Sequence, residues 1–412
     1  MRGAGFAIVS PHERTDCCII NTCTVTSSSD YQSRQLMRRA IRDNPGAVVV
    51  VTGCYAQVAP RQIAGIPGVT VVAGNTEKGR IVDLLRDAEA GRQQILVEDI
   101  SRAGICSSSP ASLPGRSRAF LKIQDGCDSF CSYCIVPHAR GRSRSLPVAA
   151  VKEGIAALGR AGYREIVLTG IHLGVYGYDL RPKAGLADII AWVEDNRPVE
   201  RLRLSSLEPN EITERLIILM RDSEVLCRHF HIPLQSADDR ILREMGRSYR
   251  SASLRSILEH IRGTLPDAAV GLDVMVGFPG EGREEFENTL RFLEDAPAAY
   301  FHVFSYSRRP GTEASLLSGQ ITEEEKKRRS LIVRDLGRRK REAFAARFVG
   351  GDLSVLIEGG GDETPFCKGV SGNYIPVRIA RGEQSPGGGI MTIRAERAEG
   401  GIITGRAIAD DR

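Results

Sequence analysis

The chain has 412 residues, 42% hydrophobic and 26% charged, with a formal net charge of +5. That describes a globular chain with room for two or three domains rather than a disordered or fibrous one. It holds no apolar run long enough to cross a bilayer, and its first residues lack the apolar core of a secretory signal, so a cytoplasmic protein with no membrane partner is expected.

Residues 1–110 alternate short apolar runs with helical patterns: Phe6–Val9, Cys18–Asn21, Ala47–Thr52 and Val69–Ala73, with a basic helix near Tyr31–Arg42. These spacings predict a parallel α/β sheet. Cys23 and Cys54 lie at strand ends, in Asn21-Thr-Cys-Thr-Val-Thr and Thr52-Gly-Cys-Tyr-Ala-Gln, where parallel sheets place their ligands. Small buried cysteines are the alternative. Cys17 and Cys18 are adjacent within a strand and point to opposite faces. Turn formers over residues 101–117 read as a linker.

Directly after the alternating run Ala119–Ile123 comes Gln124-Asp-Gly-Cys-Asp-Ser-Phe-Cys-Ser-Tyr-Cys134. Its thiols Cys127, Cys131 and Cys134 are spaced C-x₃-C-x₂-C. Ten cysteines are too sparse for a disulfide scaffold, and clustered soft thiolates select iron–sulfur clusters or zinc. Three thiolates on a four-iron cube leave one iron open. A zinc site completed by His138 is the alternative that spacing leaves.

Five further strands follow at βα-unit intervals: Glu165–Thr169, Arg201–Ser205, His229–Ile232, Gly271–Val276 and Tyr300–Ser305. Six such units make a partial barrel, whose polar strand ends carry the chemistry. His229 and His231 share one face of their strand and read as structural. Thr322-Glu-Glu-Glu caps a long basic helix that is either a solvated face or an RNA contact. From Gly350, short strands between glycine clusters (Leu353–Glu358, Tyr374–Ile379, Ile390–Arg397, Ile402–Ala407) predict a small antiparallel barrel. Cys106, Cys227 and Cys367 have no partner pattern.

The triplet with Tyr133 before its last cysteine resembles the signature of radical S-adenosylmethionine (SAM) enzymes. The flanking Gln124-Asp-Gly-Cys and Ile135-Val-Pro-His-Ala-Arg-Gly-Arg-Ser-Arg-Ser resemble the methylthiotransferase branch. The resemblance implies three domains: 1–112, an N-terminal sheet domain lacking its first strand, loop and helix; 116–345, a partial (β/α)6 barrel; and 350–412, a barrel resembling the RNA-binding TRAM domain. It implies SAM on the open iron of a 4Fe–4S cluster, with Tyr133, Gly170, Glu208, Gly277 and Gly280 beside it. It further implies an auxiliary 4Fe–4S cluster at Cys23 and Cys54. That cluster's first ligand, in a Gly-Cys loop, has no counterpart before Cys17, so either the native start lies upstream or this copy is truncated, and one cube rather than two is expected.

Thr169-Gly-Ile-His-Leu-Gly, Arg201-Leu-Arg-Leu-Ser-Ser-Leu-Glu-Pro and Phe301-His-Val-Phe-Ser-Tyr-Ser resemble the branch acting on threonylcarbamoyladenosine beside the tRNA anticodon. The implied function is methylthiolation at C2 of that base. Related branches act on isopentenyladenosine or on a ribosomal-protein aspartate; an RNA-binding iron–sulfur protein with impaired catalysis is a rival of another class. Expected partners are tRNA, touched by Arg140, Arg142 and Arg144, and a flavodoxin or ferredoxin as electron donor.

Overall fold

The computed structural model describes residues 1–10, 12–88, 92–104, 117–359, 366–380 and 389–408. Cys106 and most of the expected linker lie outside them. The described residues form two compact units. The first comprises Met1–Gly104, Gly126–Arg142 and Ser307–Leu316; the second takes in the rest of the chain.

The first unit is built on a parallel sheet in the order β1 (Cys17–Thr22), β2 (Val48–Gly53), β3 (Val71–Ala73), β4 (Gln94–Leu96). Strand β2 is a valine run because both of its faces are covered. Val49 and Val51 pack with Ile20, Met37 and Ile63 on one side; Val50 packs with Val71, Leu84 and Leu85 on the other. Helix α1 (Ser27–Asp43) starts where the Thr26 hydroxyl accepts from the Ser29 amide. Short helices α2 (Cys54–Val58), α3 (Pro60–Ala64) and α4 (Ile81–Arg86) follow β2 and β3. The expected strand at Phe6–Val9 is not formed: Ile8 and Val9 are exposed and the run has no ladder partner among the described residues, where β1 is an edge of the sheet. The segment 126–142 ends in α5 (Val136–Arg140).

In the second unit, β5 (Arg118–Lys122) leads into a short antiparallel ladder of β6 (Gln124–Asp125) with β7 (Arg144–Ser145). Strands β8 (Glu165–Thr169) and β9 (Arg201–Leu204) extend β5 into one parallel sheet. Strands β10 (His229–Gln235), β11 (Ala269–Val276) and β12 (Tyr300–Ser305) form another. The two sheets meet where the Leu207 amide donates to the His231 carbonyl, at 3.0 Å. Helices α6 (Val148–Arg160), α7 (Leu186–Asn196), α8 (Glu214–Asp222), α9 (Asp239–Glu244), α10 (Ser251–Thr264) and α11 (Arg283–Asp295) lie between strands in the chain. Alternation then sorts the side chains. Leu121, Ile166, Leu168, Leu202, Leu204, Ile232, Leu272, Val274, Phe301 and Val303 belong to one core with the helices. The residues between them face the inside of the partial barrel.

At the N-terminal ends of the strands, that inside is closed by charge. Glu165 is fully buried; Arg203 reaches it at 2.9 Å, with Arg201 and Arg118 within 4 Å. The same arginines hold the C-terminal domain: Arg201 donates to the Ser354 hydroxyl at 2.6 Å, Arg203 to the carbonyls of Ser371 and Gly372, and Arg118 pairs with Glu358. That domain follows α12 (Glu323–Ala346) and is a closed barrel of β13 (Asp352–Gly359), β14 (Phe366–Ser371), β15 (Pro376–Ala380), β16 (Ile390–Glu399) and β17 (Ile402–Ala407). The barrel is antiparallel except where β15 and β17 pair in parallel. Tyr374, expected to open a strand, instead sits in a turn at φ 66° and stacks on His229, 4.4 Å between ring centres.

Candidate functional site

The cysteine loop of the first unit takes its shape from backbone hydrogen bonds. Gly126 (φ 74°) admits no side chain, since a Cβ there would lie 1.9 Å from the Arg142 carbonyl oxygen. The Cys127 amide donates to the Gly141 carbonyl at 3.0 Å, and the Cys134 amide closes a turn onto the Cys131 carbonyl at 2.9 Å, with Tyr133 inside it. Phe130 takes a left-handed φ of 43° and its ring is half-exposed. Strain of that kind in a non-glycine residue persists only where the surroundings impose it. All three thiols are partly exposed. Three soft donors on a rigid loop fit a cube with one open iron.

Cys23 and Cys54 directly follow Thr22 and Gly53, which are register partners on β1 and β2. Their backbones are therefore neighbours at one sheet edge. The Arg140 guanidinium donates to Cys54 Sγ at 3.1 Å, and Asn75 Nδ2 binds the Ala139 carbonyl at 2.7 Å. Arg140, expected on tRNA phosphates, thus faces a cysteine. Arg142 lies 3.6 Å from Asp128 and is largely exposed; Arg144 is half-buried on β7. Cys17 and Cys18 pack on opposite faces of the sheet, and burial pushes both thiols up. Behind Cys23, the buried Arg309 binds Thr24 Oγ1 at 2.7 Å and Asp30 at 2.6 Å.

In the second unit, three of the expected strand ends are tightly built. Gly170 has no room for a Cβ beside Gln124, whose Oε1 accepts from the His172 amide at 2.8 Å. Glu208 is paired with Arg247; burial pushes its carboxyl up against the pull of that arginine. Gly277 and Gly280 take φ values of 75° and 79°, in the left-handed region that suits glycine. Their loop is pinned by Glu281, which accepts from the amides of Gly277 and Phe278.

A further set lies on the inner face of the barrel. His231, Asp273 and His302 stand on β10, β11 and β12, with ligand atoms all within 4.8 Å of one another. Asp273 Oδ1 is 2.7 Å from His231 Nε2 and 3.5 Å from His302 Nδ1, and Ser206 Oγ is 2.9 Å from His231 Nδ1. Burial raises the Asp273 carboxyl, but the two imidazoles win and hold it below the usual range. His229 matches the structural reading: its Nε2 meets the Tyr300 hydroxyl at 2.7 Å, and burial drives its pKa well below the ordinary value. His231 does not. Sequence reasoning misses Asp273 and His302, which are register partners on β11 and β12, while His231 is in register with Gly271, two residues before Asp273.

Comparison with known proteins decides the family. Residues 121–293 match the radical SAM superfamily, and residues 1–74 match the uncharacterized protein family UPF0004. The threonylcarbamoyladenosine tRNA methylthiotransferase MtaB of Aquifex aeolicus is 37% identical over 86% of this chain and 86% of its own length. Its Bacillus subtilis namesake is 36% identical over 96% and 88%. The chain belongs to the radical SAM methylthiotransferase family.

The fold agrees. A radical SAM methyltransferase, TsrM from Kitasatospora setae, superposes with a TM-score of 0.55 at 15% identity, over 74% of this chain and 66% of that one. Membership makes the protein a radical SAM transferase, of a family that works with a 4Fe–4S cluster and SAM. No helix among the described residues is long and apolar enough to cross a membrane.

Proposed function

We infer that this methylthiotransferase adds a methylthio group at C2 of N6-threonylcarbamoyladenosine in tRNA. The observation that carries it is identity of 36–37% over most of both chains to relatives named for that substrate. The C2–H bond of adenine has no useful acidity, so its opening calls for a radical rather than a base. A 4Fe–4S cluster with SAM, when bound, supplies a 5′-deoxyadenosyl radical from the reductive cleavage of SAM. This chain's part is to hold and orient: Cys127, Cys131 and Cys134 as ligands, Tyr133 on their loop, and Gly170, Glu208, Gly277 and Gly280 as the walls for SAM.

The auxiliary cluster is assigned to Cys23 and Cys54, with Arg140 donating to the second thiolate. Two thiolates are fewer than usually hold a cube, and Cys17 and Cys18 are turned into packed faces, so a further ligand is required. The domain limits 1–112, 116–345 and 350–412 fit this reading. So do tRNA contact through the C-terminal barrel and Arg142, an electron donor such as a flavodoxin or ferredoxin, and a cytoplasmic setting that keeps thiols reduced.

The test is expression in a host lacking this modification, followed by mass spectrometry of digested tRNA. Methylthiolated threonylcarbamoyladenosine is expected, and none with Cys131→Ala. Methylthiolation of isopentenyladenosine instead overturns the reading.

A further inference from the structure

We propose that His231, Asp273 and His302, with Ser206 behind His231, bind the polar threonylcarbamoyl substituent of the acceptor base inside the barrel and thereby select it. The proposal rests on the acceptor being threonylcarbamoyladenosine.

The partial barrel is closed at one end and open above it. Its floor is filled by Glu165 and the arginines, and by Tyr374 against His229. Above the floor the inner positions are not filled. Phe120 on β5 is 45% exposed and Phe304 on β12 is 47% exposed, although both lie within strands whose alternate residues are buried in the core. Large apolar rings left bare in mid-strand mark an open lumen, and these two stand on the two outermost strands of the partial barrel. Aromatic faces of this kind suit stacking by a nucleobase.

The polar set supplies the rest of a binding surface. Asp273, kept ionised by the two imidazoles, is an acceptor. His302 has a side chain 41% exposed and is positioned to donate or accept. His231 is braced from behind by the Ser206 hydroxyl. A threonylcarbamoyl group offers matching chemistry: ureido N–H and hydroxyl donors for the carboxylate, and a carboxylate acceptor for imidazole. A prenyl chain offers neither and would desolvate the set without pairing it. Leaving a buried polar group unpaired is costly, and sites built for hydrogen bonds reject analogues lacking them by about 10⁴–10⁵. A divalent cation is the competing occupant, since the three ligand atoms are close enough to share one.

The experiment measures binding, so it does not depend on sulfur insertion. Anticodon stem–loop RNAs carrying threonylcarbamoyladenosine, isopentenyladenosine or plain adenosine are titrated against the full reconstituted chain with SAM present. The unchanged protein is expected to prefer the first. Asp273→Asn and, on the more exposed residue, His302→Leu should each reduce that preference about tenfold or more. Iron per chain and the thermal midpoint report whether the variants are folded. If the unchanged protein shows no preference, the assigned substrate falls, and this inference with it. If the preference is present and both variants keep it, the inference alone is overturned. If it disappears on chelation of divalent ions and returns with Mn²⁺, the set is a cation site and the proposal is wrong.

Discussion

The Cys131 carbonyl accepts from the Cys134 amide to close their turn, so Cys131→Ala removes a proposed ligand without disturbing the backbone bonds around it. The variant should lose the SAM cluster's absorbance and the formation of 5′-deoxyadenosine; retained cleavage would contradict the assignment, because two thiolates should not hold that cube. Another residue carries a pH signature. Burial pushes the Glu281 carboxyl up to about 7, against Arg329 and two amide donors that favour its ionised form. In the unfolded chain it ionises near the ordinary value of about 4.3. Between those values the folded state keeps a proton that the unfolded state releases, so this group's contribution to stability falls as pH rises through the window. Glu281→Gln should flatten that part of the stability–pH curve, and denaturant midpoints at several pH values would show it.

At the scale of elements, the barrel floor invites a sharper test than any single strand. Glu165 has no exposure and faces three arginines. Burial opposes its charge, but the arginines prevail and its pKa is lowered. Its stabilising effect is therefore present above the unfolded carboxyl pKa and lost as pH falls through the folded one. Glu165→Gln should cost about 3–5 kcal/mol, the usual penalty for orphaning buried charge, read as a fall in the denaturant midpoint. Pairing it with Arg203→Met should recover part of that cost; an equal fall in the single and double variants would deny the coupling. This floor also shows where sequence reading runs out. Strands β8 and β12 are legible to the residue, because apolar runs and turn signals bound them. Arg201, Arg203, Asp273 and His302 alternate with leucines and valines as solvent-facing residues do, and nothing in one strand's pattern separates an outside from a lumen. Cys127, Cys131 and Cys134 are legible because their chemistry sits in one short loop. The polar set of the lumen needs three strands brought into register, which spacing alone does not give. Strand β14 is hidden among glycine-rich flanks, and Phe6–Val9 is overcounted because an apolar run without a partner makes no ladder.

At the scale of the molecule, the C-terminal barrel has two roles that deletion would confuse. Ending the chain at Gly350 would remove Ser354, Glu358 and the carbonyls of Ser371 and Gly372, and so strip the buried arginines of partners. A fall in RNA affinity after such a cut could come from a damaged partial barrel alone. The surface of β14 and β15 separates the two. Lys368 and Arg378 are register partners with exposed side chains, two cations directly opposed across an antiparallel pair. Such a pair is unfavourable in isolation and suits a polyanion that neutralises both. Replacing both with Gln should leave the thermal midpoint within the small range usual for surface changes, roughly 0.5 kcal/mol. It should weaken tRNA binding across sequences and make the slope of log affinity against log salt shallower by about 2, one unit for each phosphate no longer neutralised. An unchanged slope in the doubly substituted protein would take tRNA off this face and assign it to other basic segments, among them Arg142 or the arginines of α12.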